Sequence, residues 1–206
     1  MRPYFHNVIH IEGMDLAGKT TAASSLKKQY GASVRRNSLV VENKIYTLAD
    51  TMRRTTQAGA NVLGHLYVAS LARDLELLYP PYGPTIQDST ILLRSTAFYR
   101  VLGDSDFVDI LASMVGTHPR FGVSLVLTAS IDARLERLEM RRRLNPEEIA
   151  ADDLAVERNP EEFLAMESAL IEDATRWFGA HVIDTSDLEP SEVVAQVTHY
   201  VTKLDL

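Results

Sequence analysis

The chain has 206 residues, 46% hydrophobic and 24% charged, with a formal net charge of -7 and no cysteine. Such a composition belongs to soluble globular proteins, and the length suffices for one large domain with a full core. Net negative charge argues against non-specific binding to nucleic acid polymers or anionic membranes, and the lack of cysteine excludes disulfides and zinc-thiolate sites. The N-terminal Met-Arg-Pro-Tyr-Phe-His-Asn has no apolar signal-peptide region and no apolar run reaches membrane-spanning length, so a cytoplasmic location is expected.

Phe5 to Glu12 is apolar and β-branched, the pattern of a strand buried in a parallel sheet. It leads into Gly13-Met14-Asp15-Leu16-Ala17-Gly18-Lys19-Thr20, which is G-x-x-x-x-G-K-T, followed by Thr21. Between a strand and a helix start, this spacing is a phosphate-cradling P-loop. Glycines let the backbone wrap an oxyanion, and the helix N-terminus offers unpaired N–H donors. Lys19 would neutralise β- and γ-phosphate charge, and the Thr20 hydroxyl would hold Mg²⁺. A helix is expected over about Lys19 to Tyr30, with Gly31 as its stop.

Ala32 to Val41 reads as a second strand interrupted by charges, and Asp50 to Leu78 as mostly helical, with Leu63, Leu66, Ala69 and Leu77 facing the core. Pro80-Pro81-Tyr82-Gly83-Pro84 ends that helix. Thr85 to Asp88 is a short strand, and Thr96 to Leu102 and Phe107 to Val115 are helices, the latter after the Asp104-Ser105-Asp106 cap cluster. Val123 to Thr128 is a strand and Asp132 to Arg143 a helix, with Leu135 and Leu138 inward. Asn-Pro-Glu-Glu occurs at Asn145 and again at Asn159, and each copy is expected to start a helix. His181 to Asp184 is a last strand, and Pro190 to Leu204 an amphipathic helix. This alternation predicts an α/β fold, a doubly wound parallel sheet with helices on both faces. Ligands in such sheets sit at the carboxyl ends of strands, where both Gly13 and Asp88 fall.

Several side chains carry two readings. Asp15 inside the loop either bonds an acceptor hydroxyl or stabilises the turn. Asp88 either holds Mg²⁺ or accepts a proton from the attacking oxygen, or else caps the next helix. Arg141, Arg142 and Arg143 either close over a triphosphate or form a solvated helix end. Arg35, Arg36, Arg53, Arg54, Arg73 and Arg94 are candidate partners for an acceptor phosphate, Arg73 first and Arg36 next. His10 reads as a satisfied core histidine. Tyr99 and Phe98 read as core residues or as the lining of a base pocket.

Ile11 to Thr21 resembles the P-loop of thymidylate kinases, which typically reads E-G-x-D-G-A-G-K-T-T and so includes the flanking acid, here Glu12, and the inner acid, here Asp15. Leu127 through Leu138 is similar to the strand and helix leading to that family's lid, Asp153 through Phe163 to the segment beyond it, and Val182 through Thr185 with Pro190 through Val193 to its closing strand and helix. The resemblance implies a five-stranded P-loop kinase fold, an acceptor-binding helical region over about residues 35–80, and a lid over about 141–158. It implies binding of ATP phosphates by residues 13–21, Mg²⁺ at Thr20 and Asp88, and contact of Asp15 with an acceptor sugar. It implies Arg73 and Arg36 at an acceptor phosphate, Arg141 to Arg143 on the lid approach, and a homodimer. In one respect the chain departs: the family's acceptor motif begins Asp-Arg, whereas here Asp88 precedes Ser89, and Arg94 is the candidate replacement from a later turn. The activity implied is phosphoryl transfer from ATP to a nucleoside monophosphate, with a nucleoside or modified nucleoside as the alternative acceptor. A nucleotide-binding regulator is the rival of another class. Its guanine-binding form lacks N-K-x-D, since Asn43-Lys44-Ile45-Tyr46 breaks it.

Overall fold

The computed structural model describes residues 2–55 and 58–204. Five parallel strands form one sheet in the order β2-β3-β1-β4-β5: β1 Tyr4–Glu12, β2 Ser33–Arg36, β3 Thr85–Asp88, β4 Arg120–Thr128 and β5 His181–Asp184. The central strand β1 is buried continuously from Asn7 to Glu12, as a strand covered on both faces must be. Its Asn7 amide also anchors the proline loop, donating to the carbonyls of Pro81 and Gly83 at 2.8 Å each.

The helices divide between the two faces. On one, Leu26 of α1 (Lys19–Tyr30) and Val193, Val197 and Val201 of α9 (Pro190–Val201) pack on Ile9, Ile11 and Leu125. On the other, Leu92 and Tyr99 of α4 (Ile91–Leu102), Phe107 and Leu111 of α5 (Ser105–Ser113), and Leu170 and Phe178 of α8 (Pro160–Phe178) form a larger cluster. Helices α2 (Lys44–Thr55) and α3 (Ala60–Leu77) pack on each other, and α3 also meets α4 and α5. Helix α3 meets α5 closely, since a Cβ on Gly64 would lie 2.5 Å from the Phe107 ring. The α/β doubly wound expectation holds, and the caps at Gly31, Asp104 and Asn159 fall where the sequence puts them.

The differences have physical causes. The second strand stops at Arg36, because Asn37 turns left-handed (φ 56°) and gives its N–H to the Asp88 carbonyl. The helical region from Asp50 begins earlier, at Lys44. Asn43 caps it by accepting from the N–H groups of Ile45 and Tyr46. On α3 the buried positions are Gly64, Ser70, Leu71 and Asp74, while Ala69 and Leu77 are exposed. Helix α4 starts at Ile91, before Thr96, because the Thr90 side chain accepts from Leu93 N–H. Of the two Asn-Pro-Glu-Glu copies, the second opens α8. The first opens only a 3-10 turn, Pro146–Glu148, because Asn145 makes no side-chain cap. A second 3-10 turn, Asp152–Leu154, and the short α7 (Ala155–Arg158) complete the path from α6 (Ile131–Leu144) to α8. No described helix is long and apolar enough to cross a membrane.

Candidate functional site

Parallel pairing brings the ends of three strands together. Ile11 and Arg36 each stand opposite Asp88 across β3, so Glu12, Asp88 and Arg36 emerge at one sheet edge. The P-loop leaves β1 there. Gly13 is irreplaceable on steric grounds: its φ is 140°, and a Cβ would sit 2.1 Å from the Leu127 carbonyl oxygen. Leu16 (φ 64°) and Gly18 (φ 89°) are also left-handed, which curls the loop. Among the described residues, the N–H groups of Ala17 through Thr21 donate to no acceptor. Lys19 Nζ folds back onto the Gly13 and Met14 carbonyls at 2.7 and 2.9 Å, with Asp15 at 3.9 Å. Unpaired amides, a helix start and an ammonium group form a cradle of the right chemistry for phosphate.

Behind the loop sits Glu12, fully buried. Its Oε1 accepts from Gly13 N–H (3.1 Å) and Arg94 Nε (3.0 Å), and its Oε2 accepts from Thr90 N–H (3.0 Å). Burial alone would raise its pKa, but Arg94, His10 and Lys19 outweigh burial and hold it at about 2. One carboxylate thus ties the loop, the start of α4 and Arg94 together. Arg94 also donates to the Gly13 carbonyl at 2.6 Å and approaches Ser89 Oγ at 3.4 Å, with Ser89 itself left-handed (φ 63°). The left-handed Leu16, Asn37 and Ser89 cluster at this edge, as stored backbone strain tends to do at sites.

Asp15 and Asp88 behave differently. Burial opposes the charge of both, yet Arg94 and Lys19 hold Asp15 below the usual carboxylate range, whereas Asp88 is raised. Burial and the adjacent Arg94 draw Lys19 below its ordinary value. Thr20 and Asp88 line one cavity with a hydroxyl and a carboxylate, hard oxygen donors that suit Mg²⁺ when substrate phosphates supply further ligands.

That cavity, about 570 Å³, opens beside the P-loop. Leu63, Ile91, Phe98 and Met166 give it an apolar side, and Tyr46, Asn37 and Tyr67 add polar tips. Phe98 and Tyr99 both line it, and the Tyr99 hydroxyl is committed to the Ala60 carbonyl at 2.6 Å. A second cavity of about 580 Å³, between α1 and the segment after β2, meets the first at Thr20, Arg36, Tyr46 and Asp88.

The arginine expectations need correction. Arg73 does not reach the cavity; it is exposed and pairs with Glu76 one turn on, because the inward position of that turn belongs to Asp74. Asp74 binds Ser38, the Leu39 N–H and Asn43, and so fixes the segment after β2. Arg141, Arg142 and Arg143 are bound to Asp153, Glu157 and Glu139 and do not line the cavity. Arg36 lines it, exposed and 3.7 Å from Asp88. His10 is core, but only its Nδ1 finds a partner, Ser124 Oγ at 3.3 Å; Nε2 makes no hydrogen bond and lies 3.8 Å from Glu12.

Three further arginines matter here; Arg53 stood among the sequence candidates, Arg134 and Arg137 did not. Arg53 of α2 lines the cavity, gripping both Asp152 oxygens (2.8 and 2.9 Å) and Asp50 (3.2 Å). Arg134 and Arg137 of α6 brace the loop from outside, donating to the Asp15 and Leu16 carbonyls at 2.7 and 2.9 Å. Their i, i+3 spacing puts them on one helix face, but nothing local says what that face meets.

No family model matches the chain, and no curated protein matches it in sequence. Solved structures do. Thymidylate kinase from Candida albicans is similar at 15% identity and TM-score 0.66, over 96% of this chain and 91% of that one. Thymidylate kinase from Ehrlichia chaffeensis is similar at 16% identity and TM-score 0.60, over 97% and 99%. Deoxyadenosine kinase from M. mycoides, with products dCMP and a flexible dCDP bound, is similar at 16% and 0.60, over 95% and 98%. The five parallel strands, the glycine loop leaving the central one, and these likenesses establish one conclusion: the chain has the P-loop fold of thymidylate and nucleoside kinases.

Proposed function

We propose that the protein transfers the γ-phosphoryl group of ATP to a nucleoside-type acceptor, a nucleoside or its monophosphate. The observation that carries this reading is the shared wall: Met14, Asp15, Lys19 and Thr20 of the phosphate loop line the same cavity as Asp88, Arg94 and an apolar side of Leu63, Ile91, Phe98 and Met166. The structural neighbours, named as thymidylate and deoxyadenosine kinases, agree with it.

In this reading residues 13–21 bind the donor phosphates, and residues 35–80 form the acceptor side. Residues 141–158 act as a lid. Phe98, Leu63 and Met166 cover a base, and Asp15 accepts from an acceptor hydroxyl. Transfer is positioning and electrostatics, with little covalent work for the protein. Lys19 offsets charge on the transferring group as the sequence reading expects, and Arg94 takes the place expected of a lid arginine from Arg141 to Arg143. Magnesium at Thr20 and Asp88 would neutralise phosphate charge. The setting is cytoplasmic, and a homodimer is part of the reading by analogy only.

The test is ADP release by the purified protein with ATP, Mg²⁺ and a panel of nucleosides and monophosphates. Acceptor-dependent ADP release that is lost in Lys19→Ala supports the proposal. Full activity in Lys19→Ala, or ATP binding with no ADP release on any acceptor, refutes it and favours a nucleotide-binding regulator.

A further inference from the structure

We infer that the acceptor is an uncharged nucleoside offering a hydroxyl, and that Asp50 and Asp152 set this preference by neutralising Arg53; the inference rests on the phosphotransferase reading. Among the described residues, the cavity is lined by the cations Lys19, Arg36, Arg53 and Arg94 and by an equal set of carboxylates, Asp15, Asp50, Asp88 and Asp152. Glu12, directly behind Arg94, adds one more negative charge.

The pairing matters more than the sum. A phosphate dianion needs a guanidinium edge free for two parallel hydrogen bonds. Arg53 directs Nη1 to both Asp152 oxygens and Nη2 to Asp50, so its two terminal nitrogens are already taken and its charge is met by two carboxylates. Arg94 has spent its Nε and one terminal nitrogen on Glu12 and the Gly13 carbonyl. Arg73, the sequence candidate, faces solvent on the outer side of α3. Arg36 alone is loosely held, at 3.7 Å from Asp88, and its side chain is 74% exposed, where water screens it. A monophosphate would therefore have to break existing pairs, and would meet the carboxylates of Asp50 and Asp152. Like charges brought together in this way oppose binding.

The same walls suit a neutral nucleoside. Leu63, Ile91, Phe98 and Met166 can cover a base, and carboxylates accept hydrogen bonds from sugar hydroxyls. In the step, the acceptor oxygen forms a bond to the γ-phosphorus while the bond from that phosphorus to the β,γ-bridging oxygen breaks. ADP leaves with that electron pair, and the hydroxyl proton passes to solvent.

The experiment compares nucleosides with their 5′-monophosphates as acceptors in the ADP-release assay, and by calorimetric binding without ATP. The wild type is expected to favour the nucleoside in kcat/KM by at least about 100-fold. The exposed substitution Asp152→Asn, and Asp50→Asn/Asp152→Asn where folding is verified by circular dichroism, should narrow that ratio by about 10-fold or more by releasing Arg53. Preference for the monophosphate in the wild type, or an unchanged ratio in a folded Asp152→Asn, overturns the inference while leaving phosphoryl transfer intact. Should no acceptor release ADP, the phosphotransferase reading fails and calorimetry decides the rest: a nucleoside that binds more tightly than its monophosphate upholds the uncharged acceptor, and the reverse, or binding of neither, overturns it.

Discussion

The two walls of the central cavity recognise by different means. The donor wall, residues 13–21, is backbone: left-handed glycines, free amides and one lysine, shaped by the loop's own dihedrals and braced from outside through its carbonyls by Arg94, Arg134 and Arg137. The acceptor wall is made of side chains from α2, α4 and the 3-10 turn at Asp152, and its charges are already paired. A backbone cradle tolerates almost any neighbouring sequence and fixes only the chemistry of phosphate. A wall of ion pairs can be retuned by single substitutions, so the acceptor is where related folds diverge.

Removing the donor wall's only side-chain cation should have the largest effect. Lys19→Ala is expected to lower kcat/KM for ADP release by about 1000-fold, since a preorganised charge donor in a desolvated site is worth that much. Its melting temperature should change little, because Lys19 bonds only to loop carbonyls. Comparable loss of melting temperature and activity would mean that the lysine holds the loop rather than the phosphates.

Glu12 joins the two walls, and Glu12→Gln tests that joint. Leaving the partly buried Arg94 without its carboxylate should destabilise the protein by about 2 kcal/mol, read from urea midpoints at neutral pH. The KM for the acceptor should rise more than that for ATP, since Arg94 faces the acceptor cavity. Equal rises would show that Glu12 serves the loop alone.

Acid should weaken the fold from a place remote from both walls. His118 is buried against Phe121 and Phe178, and burial lowers its pKa to about 3 from 6.5. The unfolded chain takes up a proton below pH 6.5 and the folded chain does not, so stability is full above 6.5 and falls as pH drops toward 3. Glu12, held at about 2 against 4.5, adds a loss that begins only near pH 4.5. Urea midpoints between pH 7 and 4.5 should therefore slope downward in the wild type and lie flatter in His118→Leu. An identical slope in the variant would place the sensitivity elsewhere.

The smallest effect sharpens the boundary of the acceptor wall. Arg73→Ala should leave kcat/KM and stability within about twofold of wild type, as expected for an exposed i, i+3 ion pair. A tenfold loss would bring the outer face of α3 back into the site.

Much of this was legible before folding. Gly13 to Thr21 declares itself because a cradle made of consecutive residues leaves a consecutive pattern, and Asp88 is readable as the last residue of a strand that parallel pairing must align with β1. The end of β2 was not, since Asn37 turns left-handed through a hydrogen bond to a carbonyl in another strand. The two Asn-Pro-Glu-Glu copies carry identical capping letters, yet only Asn159 caps a full helix, with buried positions such as Phe163 and Leu170 behind it.

The choice among arginines marks the limit most clearly. The helical setting and the family resemblance both put Arg73 first, and a helix rich in leucine gave no clue that its inward turn belongs to Asp74. The spacing of Asp74, three residues after Leu71 and four after Ser70, was the available signal for that face. Arg53 meets Asp152 across 99 residues and Arg94 meets Glu12 across 82. Sequence determined what acts through the backbone over a few residues: the phosphate loop, the strand–helix alternation and most of the caps. Only tertiary structure decided which charges neutralise one another. Electrostatic pairing depends on distance in space and on burial, and neither is carried by spacing along the chain.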